Sequence, residues 1–317
     1  MSSNPWQDIL VPEENICARR IDHAHPLDFF WGRDIYGNNL LILETTSESV
    51  NIELPRVKGI ELKRVRFDDN MRFILVLREK SEWEIFLTLC LDLVNSTASV
   101  KNVPDGMSIV VRRLLRWKDF LKTSRLLMSE SEVKGLIGEI YFLSRYLAPK
   151  FGLEPAINAW MGPDGNPQDF LLNKKAIEVK CTCGSNNSTI HITSVEQLTS
   201  QENVDLWLYV LSLTPGDNSA DAITLPSIIK EISDQISASA FEKFNNKLLQ
   251  LGYCYSESYE NMRYFILKDA FYKIDNEFPR ITSECLKEGI GKVNYSISLE
   301  KCQSKITNIQ WEDNCDY

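Results

Sequence analysis

The chain has 317 residues and a mass of 36.5 kDa, more than one domain usually holds, which predicts two or three compact units. Hydrophobic residues make up 44% and charged residues 25%, which is typical of a soluble protein with a sizeable core. The net charge of −9 argues against a protein that coats nucleic acid, and the absence of a Walker A loop and of a Gly-x-Gly-x-x-Gly turn argues against nucleotide-driven chemistry.

Residues 1–105 predict a β-rich N-terminal module. Two hairpins are expected there, because pairs of short apolar runs flank polar, turn-forming residues. The first hairpin would pair residues 29–31 with 40–43, and the second would pair 73–77 with 83–87. The function of this module does not follow from its sequence.

A basic helix is expected next, from about residue 108 to residue 124. Residues three and four apart share a helix face, so Arg112, Arg116 and Arg113 form a cationic stripe. In an acidic protein this stripe is the best candidate for gripping a phosphate backbone. The alternative, a solvated helix face, is common in proteins.

A second helix begins after Ser129, where Ser129 and Glu132 have the spacing of a capping box. Leu136, Ile140, Leu143 and Leu147 follow at helical spacing, which predicts one buried stripe. The helix is expected to end before Pro149.

Residues 168–181 predict a strand pair with polar side chains on one face. Alternate side chains of a strand share a face, so Glu178 and Lys180 lie together. If Asn173 and Lys174 make a two-residue turn, Asp169 comes opposite Glu178, with β-carbons about 5 Å apart. Two carboxylates this close repel each other unless a cation lies between them, and oxygen ligands suit Mg²⁺. The alternative is an ordinary hairpin with an ion pair between Glu178 and Lys180.

The remaining elements complete an α/β pattern. A capping-box sequence at residues 194–197 opens a short helix, and an apolar strand follows at 204–213. Helical stretches near 226–250 and a strand at 264–267 come last. We therefore predict a core at residues 106–215 and a C-terminal α/β extension at 216–317.

Asp169 followed by Glu178-Val179-Lys180 resembles the signature of the PD-(D/E)XK nuclease superfamily. The helix with the sequence GLIGE, at residues 135–139, and the strands NPQDF and IEVK are similar to a family of bacterial PD-(D/E)XK proteins found in restriction and phage-defence gene clusters. The resemblance implies a restriction-endonuclease-like core, a mixed central sheet flanked by helices. One departure is that Gln168 precedes Asp169, with Pro167 one position earlier.

The resemblance also implies roles for individual residues. Asp169 and Glu178 would be the principal Mg²⁺ ligands, with Mn²⁺ able to substitute, and the Val179 carbonyl would help complete the coordination sphere. Lys180 would orient the attacking water or stabilise the phosphate. Glu139 would hold a second metal ion or a metal-bound water, although its position also fits the border of the apolar helix stripe. The last implied residue is Gln197, near the site and the DNA.

The function implied is metal-dependent cleavage of DNA, as the cutting component of a restriction or defence system. A homodimer is expected because cutting both strands takes two sites, and an ATPase and a DNA methyltransferase are expected partners. Two alternatives remain: a catalytically silent DNA-binding or scaffold subunit, and a nuclease acting on RNA or branched DNA.

The compartment predicted from the sequence is the cytoplasm. The chain opens without a basic segment followed by an apolar stretch, so we expect no secretory signal, and no apolar run is long enough for a membrane span. The eight cysteines lack zinc-ligand spacing and are expected to be reduced thiols.

Overall fold

The computed structural model describes residues 4–45, 55–123, 127–184, 189–199 and 203–311. These residues form a mixed α/β protein that divides into two compact units. The first unit comprises Met1–Leu127 and Gly252–Ser256, and the second comprises Met128–Leu251 and Glu257–Tyr317. None of the described helices has the length and apolar character that crossing a membrane requires.

The first unit is built on a five-stranded antiparallel sheet. Its elements are β1 (Ile16–Arg20), β2 (Asp28–Asp34), β3 (Asn39–Thr45), β4 (Ile60–Phe67), β5 (Asn70–Leu77), α1 (Trp83–Ser96) and α2 (Val103–Thr123). The strand order is β1-β2-β3-β5-β4. The first predicted hairpin is confirmed: β2 pairs with β3, and Gly37 takes a positive φ of 70° at the turn.

The second predicted hairpin is wrong, because residues 83–87 are the first residues of α1. Phe86, Cys90 and Leu93 are buried at spacings of four and three, which is a helical period. Residues 83–87 contain four apolar residues and Glu84, and a window of five residues is too short to distinguish a helical period from that of a strand. In the structure α1 packs against α2.

The second unit contains a four-stranded mixed sheet and a separate strand pair. Its strands are β6 (Phe170–Leu172), β7 (Lys175–Cys183), β8 (Thr189–Ile192), β9 (Asp205–Pro215), β10 (Tyr264–Lys273) and β11 (Tyr295–Ser298). The sheet has the order β10-β9-β7-β6, in which β7 and β9 are parallel and the other neighbours antiparallel. The strand pair is β8 with β11.

Helices complete the second unit: α3 (Glu130–Phe142), α4 (Ala148–Phe151), α5 (Leu153–Ala159), α6 (Leu225–Ser233) and α7 (Ala238–Gln250). The predicted capping box of α3 is confirmed, because Ser129 Oγ accepts from the Glu132 amide and Glu132 Oε2 accepts from the Ser129 amide. The expected helix end before Pro149 is wrong. A π-helical turn, Leu143–Leu147, leads into α4, and Pro149 fits there because the first turn of a helix needs no intrahelical N–H donor.

The two faces of β7 are covered differently. Ala176 packs with Leu208 and Val210 of β9 in an apolar core that includes residues of β8 and β11. On the other face α3 lies so close that a β-carbon added to Gly138 would come within 2.4 Å of the Cys181 sulfur. Successive residues of β7 therefore point alternately into a core and towards α3.

The predicted boundaries at residues 105 and 215 do not coincide with the two units. α2 belongs to the first unit with α1, and β9 pairs along its length with β10, so the C-terminal residues complete the same sheet as the predicted core.

Candidate active site

The hairpin of β6 and β7 carries three of the four predicted catalytic residues. Asn173 has a φ of 53° at the turn, and the predicted register is confirmed, with Phe170 opposite Ile177. Asp169 directly precedes β6, and its Oδ2 accepts a hydrogen bond of 2.7 Å from the amide of Val179. The Asp169 carboxylate is therefore fixed to the backbone of the strand that carries the Glu-x-Lys sequence.

Glu178 and Lys180 form a buried ion pair. Lys180 Nζ lies 2.6 Å from Glu178 Oε1, and the side chains of Lys180 and Glu178 are 16% and 1% exposed. Glu178 Oε2 is also buried, and the described residues give it no hydrogen-bond partner. An ion pair alone is what the ordinary-hairpin alternative predicts, so the surroundings of the pair decide whether this is a site.

Those surroundings include Glu139 of α3, which the indole of Trp160 holds in place. Trp160 Nε1 donates a hydrogen bond of 2.7 Å to Glu139 Oε2. The Trp160 ring is fully buried, stacked against Phe170 of β6 and in contact with Phe244 of α7. Glu139 is thereby tied to the residues that follow α5.

The same loop closes over Asp169. The amides of Met161 and Gly162 donate to the Asp169 carbonyl at 2.7 and 3.0 Å. A β-carbon on Gly162 would lie 3.0 Å from Asp169 Oδ1 and 3.6 Å from Glu139 Oε2. The two carboxylates therefore face one small space, which a residue with a side chain at position 162 would fill.

Burial makes all three carboxylates hard to ionise, and repulsion by Asp169 adds to the effect for Glu139 and Glu178. Burial, and then the charge of Asp169, raise the pKa of both Glu139 and Glu178 well above the usual range. Burial raises the pKa of Asp169 to about 6, although Lys180 and the Val179 amide oppose the shift. Several carboxylates with raised pKa values form an electrostatic cluster that a bound cation would relieve.

The cation that the chain itself supplies is Lys180. Burial acts to lower the pKa of Lys180, but the carboxylates of Glu178, Asp169 and Glu139 outweigh it, so the pKa is raised and the ammonium stays charged. Cys181, the next residue, plays no part as a nucleophile: burial, and then the charge of Glu139, raise the pKa of its thiol to about 12.

Gln197 lies where the resemblance implied, close to Lys180. Its Oε1 accepts hydrogen bonds from Lys180 Nζ at 3.4 Å and from the Thr193 amide at 2.9 Å. Gln168, which stands where many PD-(D/E)XK proteins have proline, has a contact of its own: its Nε2 donates to the Glu196 carbonyl at 2.7 Å. The two glutamines connect the hairpin with the 3₁₀ helix Val195–Leu198.

The predicted arginine stripe lies in the first unit and needs a correction. Arg112 and Arg116 are exposed, but Arg113 is fully buried and pairs with Asp92 of α1. Trp117 Nε1 also donates to Asp92, at 2.8 Å. Arg113 therefore stabilises the packing of α2 on α1 and does not contribute to the surface stripe.

Sequence reasoning missed three residues that shape the site: Trp160, Gly162 and Lys247. Lys247 of α7 donates to the Trp160 carbonyl and forms an ion pair with Asp164, so it anchors the loop that covers the carboxylates. The sequence signal for these contacts is the segment Trp160-Met161-Gly162-Pro163-Asp164, whose glycine and proline predict a turn but do not indicate that the turn contacts the site.

The donor set suits a hard divalent ion, because carboxylate and carbonyl oxygens are its preferred ligands. The described residues hold no group of three or more His, Cys, Asp or Glu side chains already gathered around one metal position. Glu178 Oε1 forms the ion pair with Lys180, and Asp169 Oδ2 accepts the hydrogen bond from the Val179 amide. The orphaned Glu178 Oε2 and the space beside Gly162 nevertheless fit a metal-binding role for Glu178, Asp169 and Glu139.

The structure thus defines a mixed α/β protein with an acidic, lysine-containing cluster on a strand hairpin. The model of a family described as "Putative PD-(D/E)XK family member, (DUF4420)" matches residues 2–300, so the chain belongs to this family and the resemblance found in the sequence is confirmed. PD-(D/E)XK nucleases are hydrolases that generally use divalent metal ions. Comparison with curated proteins and with solved structures gave no match.

Proposed function

We propose that the protein is a metal-dependent endonuclease that hydrolyses phosphodiester bonds of DNA. The observation that carries this proposal is the cluster of the buried Glu178 with the half-buried Asp169, Glu139 and Lys180. An ordinary hairpin explains an ion pair, but it does not explain why two further, half-buried carboxylates lie beside that pair at a free-energy cost.

Asp169 and Glu178 would be the principal ligands of Mg²⁺, with Mn²⁺ as a substitute. The Val179 carbonyl and Glu139 would complete the protein's share of the oxygen ligands. When bound, the ion polarises the scissile phosphate and lowers the pKa of a water molecule. Trp160 keeps Glu139 turned towards the site, and the Val179 amide does the same for Asp169.

Lys180 would place a positive charge beside the negative charge that develops on the phosphate in the transition state. Its raised pKa keeps it protonated at neutral pH, so it acts as a hydrogen-bond donor and an electrostatic stabiliser. Gln197 accepts from the Lys180 ammonium at 3.4 Å, so it would act as a positioning residue for Lys180 in addition to its proposed place near the DNA.

The resemblance further supports a place in a bacterial restriction or phage-defence system, in the cytoplasm. The protein would act as a homodimer, because two active sites are needed to cut both strands. An ATPase and a DNA methyltransferase would act with the protein in such a system.

A cleavage assay with the full chain tests the proposal. Plasmid and linear DNA, unmodified and modified, are incubated with Mg²⁺ or Mn²⁺ and with the cellular partners supplied. We expect cutting by the native protein and a loss of about 100-fold or more in Lys180→Ala and Asp169→Asn. Lys174→Ala is a matched control, because Lys174 lies in the same hairpin but is exposed. Cutting that survives both site variants would overturn the assignment.

A catalytically silent DNA-binding or scaffold subunit is the second candidate. The ion pair between Glu178 and Lys180 favours it, because that pair satisfies one oxygen of Glu178 without a metal. A native protein that binds DNA but cuts no DNA under any of these conditions would support this candidate. The same assay with single-stranded RNA and branched DNA distinguishes the other substrates.

A further inference from the structure

A strongly basic hairpin stands out in the first unit. Between residues 55 and 78 the chain has seven basic residues and three acidic ones, although its net charge is −9. Strands β4 and β5 make up most of this segment. The positive charge is therefore concentrated on one part of one sheet.

The basic residues are exposed because β4 lies at the edge of the sheet. In the part of the chain that the structure describes, β4 pairs with β5 alone. Every residue from Lys63 to Phe67 is exposed, whereas β5 is buried from Phe73 to Leu77. Lys63 also lies 3.6 Å from Glu61, but a surface ion pair of this kind contributes little.

An aromatic ring lies at the hairpin tip, on the face of β4 that also carries Lys63. Phe67 is 46% exposed, and the Arg72 guanidinium lies 3.5 Å from its ring centroid. Arg72 Nε also donates to Glu44 at 2.7 Å, which fixes the guanidinium. The tip therefore presents a rigid planar cation over an aromatic ring.

We propose that the β4–β5 hairpin binds the phosphate backbone of duplex DNA, through Lys63, Arg64 and Arg66. This inference rests on the proposed DNA nuclease and names a part of its substrate-binding surface. The three residues span about 10 Å along the strand. Alternate residues of a strand share a face, so Arg64 and Arg66 lie together on one face of β4 and Lys63 lies on the other, and this exposed edge offers the phosphates of DNA positive charge on both faces.

The shape of the element favours duplex DNA over duplex RNA. Among the described residues β3 pairs with β5 only as far as Met71, so the tip from Arg66 to Asn70 is a two-stranded ribbon. The major groove of B-form DNA admits such a ribbon, whereas the major groove of A-form RNA is deep and narrow. Basic residues on an edge strand also discourage edge-to-edge association between proteins, and this is the rival role that the experiment must separate.

The test is fluorescence anisotropy with a short duplex DNA over a series of salt concentrations, in EDTA so that no strand is cut. The variant Lys63→Gln/Arg64→Gln/Arg66→Gln is compared with Lys287→Gln/Lys292→Gln/Lys301→Gln, which removes the same charge from exposed positions of the second unit. We expect the hairpin variant to bind about ten-fold or more weakly. The slope of log K against log salt should fall by about 2 to 3, with little change in the control.

A further variant, Arg64→Lys/Arg66→Lys, keeps the charge and should retain the slope. Unfolding curves of all variants show whether they are folded. An equal loss of DNA affinity in the hairpin variant and the control, or no loss in either, would overturn the inference. If the hairpin variant aggregates while its affinity for DNA is unchanged, these residues protect the sheet edge instead. Duplex RNA that binds as tightly as DNA would overturn the choice of DNA. If the native protein binds DNA tightly but cuts no DNA in the cleavage assay with Mg²⁺ or Mn²⁺, the proposed nuclease activity would be overturned and this inference would remain.

Discussion

The indole N–H of Trp160 donates to Glu139 Oε2 at 2.7 Å, which joins the loop after α5 to the acidic residue of α3. This hydrogen bond acts to lower the pKa of Glu139, against the stronger effect of burial. Trp160 therefore influences the site through the charge state of Glu139.

Trp160→Phe should move the acidic limb of the pH–activity profile upwards. The substitution keeps an aromatic ring but removes the donor, so the pKa of Glu139 rises further. A hydrogen bond to a charged group contributes about 1.5 kcal/mol, which corresponds to a shift of about one pH unit. Cleavage rates measured from acidic to alkaline pH provide the check.

Trp207→Phe is the matched control for this prediction. Trp207 is a buried tryptophan of the same unit, and the described residues offer its indole nitrogen no hydrogen-bond acceptor. The pH profile of this variant should follow that of the native protein. Equal shifts in both variants would show that lost ring packing, rather than the hydrogen bond, is responsible.

Asp169 should make the metal-free protein less stable as the pH rises. Its pKa in the folded state is about 6, above the usual value for a free carboxyl. The folded state therefore favours the protonated form, so stability is fully present below about pH 4 and is lost as the pH rises through about 6. Relative to Asp169→Asn, the native chain should lose on the order of 1 to 3 kcal/mol of unfolding free energy between these limits. Urea unfolding in EDTA measures this difference.

Mn²⁺ should reverse that loss in the native chain. A cation that binds the folded state and not the unfolded state raises the melting temperature, and it binds best where the carboxylates are ionised. We expect a rise near neutral pH, a smaller rise at acidic pH and almost none in Asp169→Asn. A variant stabilised as much as the native protein would contradict the assignment of Asp169 as a ligand.

Lys247→Met should weaken Mn²⁺ binding several-fold. Lys247 anchors the loop between Trp160 and Asp164, and this loop positions the carboxylates. Lys243→Met is the control: Lys243 lies on the same helix, is exposed, and donates at 3.3 Å to Asn158 instead. Isothermal titration with Mn²⁺ compares the two variants. If both variants bind Mn²⁺ with the same affinity, the contacts of Lys247 with Trp160 and Asp164 have no influence on the site.

Gly138→Ala should destabilise the second unit, because the new β-carbon would come within 2.4 Å of the Cys181 sulfur. Forcing atoms into a packed contact of this kind typically costs about 1 to 3 kcal/mol. Adding Cys181→Ala removes the sulfur and should recover part of the loss, leaving the 3.2 Å contact with Val179. Unfolding free energies of the single and double variants check this, and a double variant no better than Gly138→Ala would point to another cause.

The features that the sequence predicted well are local ones. The hairpin around Asn173 follows from the alternation of its strands and from a turn residue that tolerates a positive φ, both of which lie within a dozen residues. The capping box of Ser129 and Glu132 is equally local. Asp169, Glu178 and Lys180 meet because this one hairpin brings them together.

The features that the sequence did not predict depend on distant parts of the chain. Lys247 reaches a carbonyl 87 positions earlier, and no spacing in the sequence announces such a contact. Arg113 has the helical spacing of a surface residue, but its side chain is buried because it forms an ion pair with Asp92 of α1. Periodicity identifies residues that share a face, but the partner that a face meets is decided by tertiary packing.

The contribution of Gly252–Ser256 to the first unit has a consequence for biosynthesis. Tyr253 and Cys254 are buried, and Ser256 Oγ donates to Glu84 of α1 at 2.7 Å. While the ribosome is still making the intervening residues, the first unit lacks these side chains, and the apolar area they cover stays open to water. A gene fragment that stops at residue 127 would therefore encode an incomplete first unit, because residues 252–256 would be missing from it.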